Sequence, residues 1–328
     1  MVWGRLSQAW RSALGWGLGV AMLAYVLVQP DYPALFQLLQ TAGFALFAVV
    51  LLEPLRWATQ ALAWQILFVP GRRPGFAPIF YASALGNAVN DLLPAMSVGG
   101  NLLKARYLVK LGVSGVDATA AGIVDISLHA VSALGWSLIG LLMLSRAANG
   151  GEIFHASLVG SLVLVLLILL FVGAQLFASR RVAALLQRRF SRQGWEGLAD
   201  GADQTQARLL EIWDRRTHCL ASVLSRMAGR ALMLPEILFV SWLLGAEIAL
   251  WQAAALTGSI ILVKTASFMI PARIGVQEGA FLGVGALLGL ATEWMFAIAL
   301  AVRMREVLPQ LPVLMLWWFS ESRHRPQG

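Results

Sequence analysis

Little in this sequence is charged, and almost nothing in it can be cross-linked. Cys219 is the single cysteine, which excludes an internal disulfide framework and a cysteine-rich metal site. The four histidines, His129, His155, His218 and His324, show no HxxxH or HxxE spacing, so no metal centre is expected, nor any other cofactor. No Walker motif is present, so the chain itself shows no use of ATP. Charged residues make up 13% of the 328, whereas a soluble domain carries about a quarter. What fills the space is apolar: 59% of the residues are hydrophobic and the mean hydropathy is +0.72. Stretches of about 20 apolar residues recur, each long enough to cross a hydrocarbon layer of roughly 30 Å. The expected fold class is an all-α polytopic membrane protein. A net charge of +8 would suit nucleic acid if it were spread along a stripe, but the basic residues concentrate in particular loops, so no nucleic-acid partner is expected.

Six full spans are expected at Ser12 to Val28, Thr41 to Val69, Ala118 to Leu144, Ala156 to Ala178, Ala221 to Gly245 and Trp294 to Phe319. The first lacks a small-x-small cleavage pattern after Val26-Leu27-Val28 and reads as an uncleaved helix. Two further apolar segments, Gly75 to Leu111 and Ile248 to Leu290, are interrupted by proline and glycine at Pro94 to Gly100 and at Pro271 to Gly275. Proline removes a backbone donor and glycine favours non-helical angles. In lipid such a break persists only where protein or water satisfies the freed groups, so both segments read as re-entrant helical hairpins. Arg5, Arg11, Arg72, Arg73, eight arginines from Arg180 to Arg216, Arg323 and Arg325 fall on one side of this arrangement. The positive-inside rule then places both termini in the cytoplasm. The segment from Arg180 to Arg216 mixes leucines with charges of both signs, which suits either interfacial helices on anionic lipid or a solvated linker.

Pro94-Ala95 and Leu111-Gly112 recur as Pro271-Ala272 and Leu288-Gly289, both offset by 177 residues. Each half reads as span, span, hairpin, span. One membrane domain over residues 1–328 is expected, with halves at 1–146 and 153–320 and an amphipathic insertion at 179–217. The two hairpins would enter from opposite faces, an inverted repeat of the kind that builds an alternately opening site near the midplane. Gly279-x-x-x-Gly283 and Gly285-x-x-x-Gly289 read as helix-packing patterns.

Ionisable groups inside a bilayer cost roughly 2.5–3.5 kcal/mol each on insertion scales and need partners or water. The first hairpin carries Asp91, Asn101, Lys104 and Arg106, the second Lys264, Arg273 and Glu278. Glu53 with Arg56, and Arg303 with Glu306, stand three residues apart and share a helix face, so each pair can neutralise itself. Arg230 and Glu236 are six apart and would look to neighbouring helices. Asp125 sits alone in its span. A polar, partly cationic cavity at the breaks would suit an anionic or strongly polar head group whose tails stay in lipid.

At both breaks the sequence resembles the lysylphosphatidylglycerol synthase/flippase transmembrane family. Pro94-Ala95-Met96-Ser97-Val98-Gly99-Gly100-Asn101-Leu102-Leu103-Lys104-Ala105 is similar to its first signature. Pro271-Ala272-Arg273-Ile274-Gly275-Val276-Gln277-Glu278-Gly279 is similar to its second, and the Gln277-Glu278-Gly279 form with Arg303-Met304-Arg305-Glu306 most resembles the hopanoid-biosynthesis-associated branch. The resemblance implies an inner-membrane protein that moves lipid between leaflets. It carries over Gly100, Asp125, Pro271, Gly275, Glu278 and Gly279. Where the first signature usually has Glu and Arg, this chain has Asn101 and Lys104, which weakens the case for a cationic aminoacyl head group. The family's synthases carry a soluble aminoacyl-transferase domain, and none is expected between the last span and Gly328.

The translocation site is therefore expected to comprise Asp91, Pro94, Gly100, Asn101, Lys104, Arg106, Asp125, Lys264, Pro271, Arg273, Gly275, Glu278, Gly279 and Arg303. The partners expected are membrane lipids, hopanoids among them, with room for a homo-oligomer or for enzymes of lipid biosynthesis. Transport would be passive or ion-coupled, with Asp91, Asp125 or Glu278 taking the proton. A non-catalytic partner of a biosynthetic complex is the second reading. An intramembrane lipid-modifying enzyme is the third, and it lacks a recognisable nucleophile, metal or acid–base pair.

Overall fold

The computed structural model describes residues 31–92, 99–147, 196–267 and 275–322, with positions 28, 155, 159, 160, 162, 163, 166, 170 and 273 besides. All regular structure among the described residues is helical. Apart from those isolated positions, the expected spans Ser12 to Val28 and Ala156 to Ala178 fall outside the described residues. So do Pro94, Pro271 and residues 180–195 of the insertion.

Helix α1 (Tyr32–Ala42), a 3₁₀ segment (Gly43–Leu51) and α2 (Leu52–Gln65) adjoin over 34 residues, with a change of backbone direction at Gly43, where φ is 54°. This stretch starts before the expected Thr41 because Pro33, in the first turn, has its backbone already set for a helix. Glu53, Trp57, Ala61 and Trp64 recur at helical spacing on the buried face of α2, while Leu55 and Leu62 point outward. That arrangement repeats through the molecule: Phe36, Phe44 and Trp242 are exposed, whereas Glu236, Gln277 and Arg305 are buried. A water-soluble fold places these residue types the other way round. An apolar exterior around a charged interior is the arrangement a bilayer selects.

Each broken segment forms a pair of helices of the same dimensions. α3 (Phe76–Leu92) has 17 residues and α4 (Gly99–Lys110) has 12. α5 is the long Gly115–Leu144 helix. α3 and α4 pack antiparallel, because pairs of nearly constant index sum meet across them. The rings of Tyr81 and Tyr107 are 5.1 Å apart, and Asn90 Oδ1 accepts a hydrogen bond of 2.9 Å from Gly100 N–H. Asn90 thereby satisfies a donor that the start of α4 would otherwise leave orphaned. Gly100 has no room for a side chain: a Cβ would strike the Gly86 carbonyl and the Asn90 carboxamide.

In the second half α6 (Glu196–Asp214), α7 (Arg216–Ala231) and α8 (Met233–Leu243) lead into the second pair. There α9 (Leu250–Ala266) again has 17 residues and α10 (Val276–Leu287) again 12. α11 (Thr292–Val307) and α12 (Gln310–Ser322) complete the described chain. Gly99 and Val276, which open α4 and α10, are 177 residues apart, and so are Gly115 and Thr292, which open α5 and α11.

Two expected spans are each broken into two helices. Pro235 has no N–H for the carbonyl of Ala231, and α7 ends there with a turn at Leu232 before α8. Pro309 does the same to the carbonyl of Arg305, separating α11 from α12. Of the glycines in the α10 patterns, Gly285 packs closely on Met295 of α11 and Gly283 has open space around it, and the backbones of Gly140 on α5 and Gly258 on α9 touch as well. The part of the insertion that is described packs one face on protein. Leu209 and Ile212 of α6 join a buried cluster with Trp64, Leu67 and Phe68, and Arg208 pairs with Asp117 of α5 at 3.2 Å.

Candidate functional site

The interiors of the two helix pairs meet through their charged residues. Arg273, beside the second break, reaches Asp91 at the end of α3 with 3.0 Å between Nη1 and Oδ1, and Gln310 Nε2 donates to the other Asp91 oxygen at 3.0 Å. Arg273 sits at φ 50°, a left-handed conformation that costs a non-glycine residue energy and is held by its surroundings. Gly275, at φ 77°, opens α10. Its N–H donates to Glu278 Oε2 at 3.0 Å, and Arg303 Nη2 lies 2.7 Å from the other Glu278 oxygen. Arg303 also donates to the Arg273 carbonyl at 3.3 Å. Glu278 therefore ties the turn, the start of α10 and α11 together. Gly279 lies in the first turn of α10, its N–H bonded to the Gly275 carbonyl at 2.9 Å.

These residues border a cavity of about 290 Å³ lined by Asp91, Lys264, Arg273, Arg303, Glu306 and Gln310 among others. Gln277 lines it too, and neither its amide oxygen nor its amide nitrogen has a partner although the residue is wholly buried. Gln310 Oε1 is likewise unpartnered. A buried amide without a partner is costly, so such groups in a cavity wall are ready to bind polar ligand atoms.

Behind the cavity lies a second tier, whose members the sequence shows but whose pairing through Arg305 it does not. Arg305, 1% exposed, is held by Glu53 on α2, by Glu236 on α8 at 2.6 Å and by its neighbour Glu306 at 3.4 Å. Glu306 also takes Lys264 of α9 at 2.6 Å. The expected Glu53–Arg56 pair is present at 3.1 Å, but the pairing foreseen for Arg303 with Glu306 is redirected: Glu278 takes Arg303, and Glu306 takes Lys264 and Arg305. Side chains three apart do share a face, yet here each finds a better-placed partner on another helix.

Around the first pair, Lys104 Nζ is 2.6 Å from Asp125 Oδ2 of α5 and 4.7 Å from the centre of the Trp64 ring, a cation–π contact. Arg226 of α7 holds the other Asp125 oxygen. Arg226 and Arg230, one turn apart, both reach His129. Neither His129 nor Arg226 carries a signal of its own in the sequence, where the histidines lack metal spacing. Asn101 is half-buried in the first turn of α4 and Arg106 is exposed on it, whereas Gly100 is part of the helix packing. Pro94 and Pro271 lie outside the described residues. Among the described residues no group of three or more His, Cys, Asp or Glu could hold a metal ion.

An apolar exterior, a charged interior and long apolar helices define a multi-pass, all-α membrane protein. Within that class the chain belongs to the family described as the lysylphosphatidylglycerol synthase TM region, whose model matches residues 10–313. That is a family related to membrane lipids. No curated protein and no solved structure matches the chain.

Proposed function

We propose that the chain translocates a polar lipid between the leaflets of a bacterial inner membrane, with hopanoids as the class its second signature resembles most. The carrying observation is the Asp91–Arg273 contact of 3.0 Å, which joins the two helix pairs beside a cavity bordered by charged side chains. In this reading α3–α4 and α9–α10 are re-entrant hairpins of an inverted repeat that enter from opposite faces, and both termini are cytoplasmic. The matched lengths of 17 and 12 residues and the recurring offset of 177 support the repeat. Broken helices meeting over a polar site are the architecture through which secondary transporters expose a substrate alternately to two sides. The unpartnered amide of Gln277 and the unpartnered amide oxygen of Gln310 would meet the head group while its tails remain in lipid. No covalent step and no cofactor is part of the proposal.

The test is leaflet exchange of fluorescent lipids, polar hopanoids included, in proteoliposomes carrying the native protein, Glu278→Gln or Arg273→Ala. Exchange that both substitutions slow at least tenfold in folded protein supports translocation through the second break. Absence of exchange with every lipid tried refutes it and favours a non-transporting partner of lipid biosynthesis.

A further inference from the structure

The contacts of His129 cannot all be satisfied by the protein. Arg226 Nη1 stands 3.1 Å from its Nδ1 and Arg230 Nη2 stands 3.1 Å from its Nε2. Guanidinium nitrogens only donate. A neutral imidazole accepts at one nitrogen and donates at the other, and an imidazolium donates at both. Whichever form His129 takes, at least one arginine N–H faces another N–H.

The charge balance leans the same way. Lys104, Arg226 and Arg230 bring three cations, and the carboxylate among them is Asp125, already shared by Lys104 and Arg226. Arg230 pairs with no carboxylate among the described residues; its contacts are the Ser132 hydroxyl at 3.2 Å and His129. Arg226, 4% exposed, leaves its Nε without a partner. The fields of Arg56 and Arg273 also converge on His129. An uncompensated guanidinium within an apolar span is expensive, and two like charges one turn apart repel. The cluster can be reached, since His129 is exposed and Arg230 half-buried.

From this geometry we propose that His129, Arg226 and Arg230, with Lys104 behind them, form a binding site for a phosphate-type oxyanion. An oxyanion offers acceptors only, so it satisfies the facing N–H groups in any tautomer of His129. Two guanidinium forks and a ring N–H match its several oxygens at charge-assisted strength. The anion is either the phosphate of a phospholipid head group or free phosphate. The inference rests on the proposed lipid-handling role only for the choice between those two sources.

Equilibrium binding tests the site without requiring transport. Delipidated protein in a maltoside detergent is given dioleoyl phosphatidylglycerol or dioleoylglycerol, read by native mass spectrometry, and inorganic phosphate, read by equilibrium dialysis. Native protein should retain phosphatidylglycerol at least ten times more tightly than dioleoylglycerol, and Arg230→Gln and His129→Gln should erase that preference. Arg230→Lys keeps the charge and supplies a conservative variant should the glutamine forms not fold; it should lose about tenfold. Phosphate binding that these variants abolish, with no preference between the lipids, would assign the same site to the free ion. Folded variants that bind every probe like the native protein would overturn the site, as would native protein that binds no phosphate and does not separate the two lipids. Intact binding without leaflet exchange would instead count against the transport reading alone.

Discussion

Replacing Arg305 with methionine keeps an unbranched apolar stem and removes the cation that Glu236 touches. In the native protein Arg56, Lys264 and Arg305 balance Glu53, Glu236 and Glu306, three charges of each sign. The substitution leaves two cations against three carboxylates, and Glu236, which is 0% exposed, loses its partner. Breaking a buried ion pair from one side costs about 3–5 kcal/mol, because the remaining charge is left desolvated. Adding Glu236→Gln to Arg305→Met restores two charges of each sign without changing volume, so the double variant should recover most of that loss. Thermal unfolding of the detergent-solubilised protein, followed by tryptophan fluorescence, reads both. The single variant should unfold on the order of 10 °C lower, and the double variant within a few degrees of the native protein. A single variant as stable as the native chain, or a double variant less stable than the single, would refute the account of Arg305 as the neutralising centre of three helices.

Gly258→Ala should destabilise by about 1–3 kcal/mol through overpacking, because its Cβ would strike Gly140 and the Trp136 carbonyl. Gly283→Ala, with open space around it, should instead stabilise by roughly 0.5–1 kcal/mol through helix propensity; the same unfolding assay checks that the two signs differ. Cys219 lies just ahead of the apolar part of α7, is buried, and donates from Sγ to the Ile212 carbonyl at 3.3 Å. Burial pushes its thiol up from the ordinary range, so little thiolate exists at neutral pH. Iodoacetamide should label native protein at least about tenfold more slowly than denatured protein at pH 7, and faster as pH rises toward that of the thiol. Equal rates in the two states would place Cys219 at an open surface.

The helical membrane class was legible because a composition this apolar has no other place to go, and the family because its signatures sit at the two breaks. Proline and glycine marked those breaks, and the charges beside them, Asp91, Arg273, Glu278 and Lys264, do converge. Contacts that depend on how helices are laid against one another were not legible. Nothing near Arg305 in sequence announces Glu53 or Glu236, and a spacing of three made Arg303 and Glu306 look self-sufficient. The breaks at Leu232 and Leu308 had a local signal in Pro235 and Pro309, each facing a carbonyl four residues back. Arg226 and Arg230 had one too: two like charges one turn apart within an expected span ask for something negative, which spacing alone could not locate.

The contact between Gly140 and Gly258 has a mechanical consequence. The two helices pack along an extended seam and come closest where bare backbone meets bare backbone, and in a tilt about that place a side chain's displacement grows with its distance from it. Asp125 lies 15 residues along α5 from Gly140, about 22 Å at the helical rise. Lys264 lies only 6 residues along α9 from Gly258, about 9 Å. Tilting one helix against the other by about 10° would carry Asp125 roughly 4 Å and Lys264 less than half as far. About this closest approach the two arms are unequal, the long one reaching the pair that Lys104 makes with Asp125 and the short one the pair that Lys264 makes with Glu306.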